Sequence, residues 1–185
     1  MNVPILDRLL GNRRSEQRVT RFLSTALLEP AEADVVWLAE AAAQGDSDHA
    51  RWELRYARLV LAQLTAERDA LDDRTASEVA EGVRDAIDHD PRIAADARGL
   101  AATQYGDRLS AYREALTRRG GDVGSGERLG RVLLAFASNG ARSAGAPLAR
   151  AVQLLSGYLA EVNGALRESY GTASLPEHLP PSEAR

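Results

Sequence analysis

Residues 49–71, HARWELRYARLVLAQLTAERDAL, constrain the fold more than any other part of the chain. Trp52, Tyr56, Leu59 and Gln63 lie along one helical stripe, and Leu54, Leu61 and Leu64 along another. A helix apolar on two sides needs neighbours on both, so this segment is expected at the centre of a bundle. Its start is set by Gly45 followed by Asp46 or Ser47, residues that stop one helix and cap the next.

The flanking segments repeat the same period. Ser15 is placed to cap a helix carrying Val19, Phe22, Leu23, Ala26 and Leu27 on one face, after a short apolar piece, VPILDRLL, ended by Gly11. Pro30 suits the first turn of a helix with Val35, Leu38 and Ala42. A helix over about Thr75 to His89 points Ala76, Val79, Val83 and Ile87 inward, and Asp90-Pro91 breaks it, with Pro91 starting the next. That helix holds Ile93, Ala97 and Leu100 and then QYGDRLSAYREALTRR, where Tyr105, Leu109, Tyr112 and Leu116 share a face. Leu129, Val132, Leu133 and Phe136 mark another helix, with Asn139-Gly140 as its stop. A final helix begins at Pro147 with the stripe Leu148, Val152, Leu155, Leu159, Val162 and Leu166. The expectation is an all-α, single-domain bundle of about seven helices spanning 15–171. An Arg-rich amphipathic segment, 1–14, precedes it, and a Pro-rich tail, 172–185, is expected to be disordered.

Composition narrows the chemistry. The chain of 185 residues has no cysteine, so a disulfide, a thiol nucleophile and a cysteine-ligated metal are excluded. All 23 basic residues are Arg, which excludes a Schiff-base lysine. The net charge of −4 argues against nucleic acid as a partner. The charge is uneven. Five Arg against Asp7 and Glu16 give the first 28 residues +3, leaving −7 for the rest. No apolar run approaches the roughly 20 residues of a membrane span, and no signal-peptide core is present, so a cytoplasmic setting is expected.

Neither a phosphate-binding glycine loop nor a nucleophile elbow is present, and no catalytic residue is assigned. His49 and Glu53 stand four apart on one helix behind Asp46 and Asp48, and Asp85, Asp88, His89 and Asp90 form a second cluster. A metal or haem protein built on His49 or His89 is therefore an alternative, although no Glu-x-x-His occurs and no metal or cofactor is assigned. At the amino terminus Ile5, Leu6, Leu9 and Leu10 give an apolar face among Arg8, Arg13 and Arg14, suited to an anionic membrane surface or a partner helix.

Four segments together resemble the ubiquinol–cytochrome c chaperone family: ILDRLLGNRR, RWELRYARLVLAQL, DRTASEVAEGVRDAI and, most specifically, YGDRLSAYREAL. The family block reads roughly Phe-Tyr-Gly-Arg-x-x-Ala-Tyr-Asp-x-Ala-Leu. Tyr105 keeps an aromatic, and Arg108, Ala111, Tyr112, Ala115 and Leu116 match. The glycine falls one place early, at Gly106, and Arg113 stands where the family has an acid. The resemblance implies an all-helical, non-enzymatic assembly chaperone that binds newly made cytochrome b, peripheral at the inner face of the membrane. It further implies a client groove formed by Tyr105, Gly106, Arg108 and Tyr112, with Trp52 and Tyr56 at its aromatic edge. Gly106 has two readings, a backbone opened to a client helix or one opened to the protein's own helices. The alternative in the same class is a generic helical interaction or scaffold domain.

Overall fold

Helix α3, Ser47–Asp69, is the axis on which the other helices rest. The computed structural model describes residues 4–69, 73–118, 123–138 and 146–171, with side chains described from Ser15 onward. Around α3 stand α1 (Pro4–Ala26), α2 (Glu32–Ala41), α4 (Asp73–Asp88), α5 (Arg98–Thr117), α6 (Ser125–Ala137) and α7 (Ala146–Tyr170). A 3₁₀ turn, Ala95–Ala97, leads into α5, and the described residues contain no strand. The chain is thus an all-α bundle of seven helices over the described residues.

The two stripes of α3 explain its position. Every residue from Tyr56 to Ala66 is buried, and α1, α2, α4, α5, α6 and α7 all touch this helix. Asp46 caps it, accepting the His49 backbone N–H at 2.9 Å. The preceding turn takes Gln44 and Gly45 into the left-handed region, at φ 55° and 87°. The inward stripes of α4 (Val79, Val83, Ile87), α6 (Leu129, Leu133) and α7 (Leu155, Val162, Leu166) close on the same core. Arg128 of α6 satisfies the end of α5 by donating to the Ala115 carbonyl at 2.8 Å and the Arg118 carbonyl at 3.1 Å.

Three local expectations are corrected. Helix α1 runs unbroken through Gly11 and Ser15, so the division at residues 14 and 15 falls inside one helix. A mid-helix glycine costs only about 1 kcal/mol, which a helix packed on α3, α4 and α7 can absorb. Ser15 does not cap; its hydroxyl donates to the Glu78 carboxylate on α4. Pro91 starts no helix, because α5 begins only at Arg98, behind a loop that Asp90 and Arg92 pin together. Asn139-Gly140 and the Pro-rich tail lie outside the described residues. Among the described residues no helix is long and apolar enough to cross a membrane.

Candidate functional site

A carboxylate sits in the middle of an apolar helix face. Glu53, between Trp52 and Leu54, is 3% exposed. A buried carboxylate needs a partner, and α5 supplies it. Arg108 donates from Nε to Glu53 Oε2 at 3.0 Å and from Nη2 to Oε1, a two-pronged pair, and from Nη1 to the Gln104 carbonyl at 3.0 Å. Its guanidinium lies over the rings of Phe136 and Tyr56, 4.4 and 5.1 Å from their centroids. The Tyr56 hydroxyl donates to Gln104 Oε1 at 3.1 Å, and Tyr105 donates to Gln63 Oε1 at 2.7 Å. Gln63 in turn donates to Glu67 at 2.9 Å, and both Glu67 oxygens accept from Arg113 Nη2 at 2.9 Å.

Tyr105, Arg108, Tyr112 and Tyr56 are therefore brought together as buried side chains, with Tyr105 and Gln63 bordering a pocket of about 250 Å³ against α4. Tyr112 is 1% exposed, and its hydroxyl has no hydrogen-bond partner among the described residues. Burial pushes the Tyr105, Tyr112 and Tyr56 phenols above the ordinary tyrosine range, and Tyr158 with them. Gly106 departs from this group. It is exposed, and a Cβ built on it meets nothing within 4 Å. It therefore admits none of the protein's own helices, and it lies off the buried face that Tyr105, Arg108 and Tyr112 share. Trp52 is half-buried, 5.7 Å from the Tyr56 ring with Arg55 over its face at 4.9 Å. The side chains of Ile5, Leu6, Arg8, Leu9, Leu10, Arg13 and Arg14 lie outside the described residues.

The histidine clusters are also used internally. His49 Nε2 donates to the Phe136 carbonyl at 3.2 Å, and its Nδ1 stands 3.9 Å from Glu53. Asp46 is the cap of α3, and Asp90 is held by Arg92. His89 Nδ1 donates to the Asp85 carbonyl at 2.9 Å. Among the described residues no group of three such side chains is placed to hold a metal ion.

An open feature lies elsewhere, between α1 and α4. These helices run in the same direction, with Ser15 bonded to Glu78 near one end and Leu27 beside Ala86 at the other. Gly82 sets their approach: a Cβ there would fall 2.7 Å from Leu23 Cδ1 and 2.8 Å from Val19 Cγ1. The result is a groove of about 640 Å³ with an apolar floor of Val19, Leu23, Leu27 and Ala86. Its rim carries Glu16, Glu78, Glu81 and Asp85. Glu78 is paired with Arg74, whereas Glu16, Glu81 and Asp85 form no ion pair among the described residues. Leu27, expected to face inward with Phe22 and Leu23, is instead 42% exposed on this floor.

Sequence reasoning missed this groove because its two walls are some sixty residues apart. The one available signal was the pairing of an apolar α1 face with the acid-rich outer side of α4. Glu53 was visible as an acid inside an apolar run, but its partner Arg108 was not. The chain matches no family model, no curated protein and no solved structure.

Proposed function

We propose that this protein is a non-enzymatic binding protein that holds an apolar helical segment of a membrane-protein client, such as cytochrome b, during assembly of a respiratory complex. The observation that carries the reading is the α1/α4 groove, an apolar floor under a carboxylate rim. Membrane helices are apolar through their length and carry Arg and Lys at their cytoplasmic ends. A groove with Leu27 on its floor and Glu81 and Asp85 on its rim complements both properties at once. The resemblance of YGDRLSAYREAL to the chaperone family supports the choice of client. In this reading Tyr105, Arg108 and Tyr112 act by fixing α5 against α3, and the client is met at α1 and α4. The protein acts at the cytoplasmic face of the membrane, without cofactor or turnover.

The test is co-purification of tagged protein from gently solubilised host membranes, comparing the natural chain with Leu27→Asp. Enrichment of cytochrome b or its reductase partners, lost in Leu27→Asp, is the expected result. Enrichment that Leu27→Asp leaves intact would move the client away from this groove. A different specific partner would keep the binding role and end the respiratory assignment.

A further inference from the structure

We propose that two copies of this chain pair antiparallel along α1, the amino-terminal half of each α1 lying in the α1/α4 groove of the other. The inference rests on reading that groove as a helix-docking surface, and not on the identity of the client.

Three observations lead to it. The first is length. Helix α1 is continuous over 23 residues, about 34 Å at 1.5 Å per residue. Its groove-lining part runs from Ser15 to Leu27, and residues 4–14 continue the same axis for nearly the same distance. A twofold axis near the middle of α1 therefore sets each amino-terminal half on the other copy's groove in one operation. Such a contact closes as a dimer rather than a chain.

The second is register. Ile5 and Leu9 stand eighteen positions before Leu23 and Leu27, which is about five whole turns at 3.6 residues per turn. All four positions belong to one stripe of α1. An antiparallel pair can then set Ile5 opposite the partner's exposed Leu27, with Leu9 one turn further along the groove.

The third is charge. Residues 4–14 hold Arg8, Arg13 and Arg14 against Asp7, a net +2, and the rim they would meet holds Glu16, Glu78, Glu81 and Asp85. Opposite charge on two surfaces of the same chain favours self-pairing and speeds its encounter.

Sedimentation of the full chain over a range of concentrations, at low and at high salt, tests this. A concentration-dependent dimer weakened by salt is expected. The rim variant Glu81→Arg/Asp85→Arg alters exposed side chains, so its fold is checked simply by circular dichroism. That variant, and separately Arg13→Glu/Arg14→Glu, should each weaken the dimer by about tenfold or more, and mixing the two should restore pairing between them. A chain that stays monomeric at low salt, or a dimer indifferent to both variants, overturns the proposal. A Lys-flanked Leu/Ala helix peptide in detergent separates it from the reading beneath it. If the chain is monomeric yet binds this peptide, and the rim variant does not, arm exchange falls and helix docking stands. If the chain neither dimerises nor binds the peptide, both fall.

Discussion

The α3/α5 contact and the α1/α4 contact both bring carboxylates and apolar side chains together, and they resolve the encounter in opposite ways. Between α3 and α5 the Glu53 carboxylate is met by Arg108, and the guanidinium is covered by Phe136 and Tyr56. Between α1 and α4 the carboxylates stand around an open floor, and three of the four have no cationic partner among the described residues. The first arrangement costs desolvation that its own bonds offset, so it holds the fold. The second concentrates like charge beside exposed leucine, which gives no stability and is understandable as a surface awaiting a cationic, apolar partner.

Breaking the α3/α5 contact should have the largest effect. Arg108→Ala leaves Glu53 buried with only His49 Nδ1, 3.9 Å away, beside it, and a loss of about 3–5 kcal/mol is expected in denaturant unfolding. The double variant Glu53→Leu/Arg108→Met should recover most of that loss, because apolar groups of similar volume need no partner. A double variant as unstable as Arg108→Ala would mean that packing, and not the pair, governs the contact.

Two hydroxyls sharpen the same comparison at about 1 kcal/mol. Tyr105→Phe removes the bond to Gln63 and should destabilise by about that amount. Tyr112→Phe removes a buried hydroxyl with no bond to lose, and equal or greater stability is expected. Destabilisation by Tyr112→Phe would reveal a partner for that hydroxyl.

Gly106→Ala should raise stability by about 0.5–1 kcal/mol, since the position is helical, exposed and open. It should leave client capture and dimerisation unchanged. Loss of either would bring a partner to the outer face of α5.

The buried tyrosines also set an alkaline limit. Tyr56, Tyr105, Tyr112 and Tyr158 all titrate higher in the folded chain than the unfolded value of about 10. A group raised by folding contributes fully below its unfolded value and loses that contribution as pH climbs toward the folded one. Stability should therefore fall above about pH 10, and tyrosinate absorbance should rise together with unfolding. Full ionisation of these residues in a chain that remains folded would contradict their burial. The smallest effect belongs to the open site: Glu81→Gln/Asp85→Asn should stabilise by a few tenths of a kcal/mol at low salt, fading as salt is added.

The bundle itself was legible where the signal was long. The double stripe of residues 52–66 reported a central helix, because burial on both faces leaves no other pattern. Local punctuation was less reliable. Gly11 and Ser15 read as a stop and a cap, yet Phe22 and Leu23 in the core and Ser15 on Glu78 hold the helix as one piece. Gly106 sits off the Tyr105 face by geometry: one residue after Tyr105 is about 100° around the helix, away from the stripe that Tyr112 shares. The partner of Glu53 was not legible at all. Arg108 lies fifty-five residues on, and only the docking of α5 on α3 selects it from 23 arginines. The groove is a property of two helices at a set spacing, which Gly82 permits but does not announce.

The position of α3 has a genetic consequence. Six helices lean on a single one, so the molecule has no plane along which it divides into two self-sufficient halves. A fragment without 47–69 would leave an uncovered apolar face on each helix it retained. Tolerance of the fold to substitution should therefore be lowest along α3 and rise outward, and random mutation would find most of the changes that leave folding intact on the outer faces of α1, α4 and α5. Those outer faces, α1 and α4 above all, are where this chain is free to change its partners while keeping its fold.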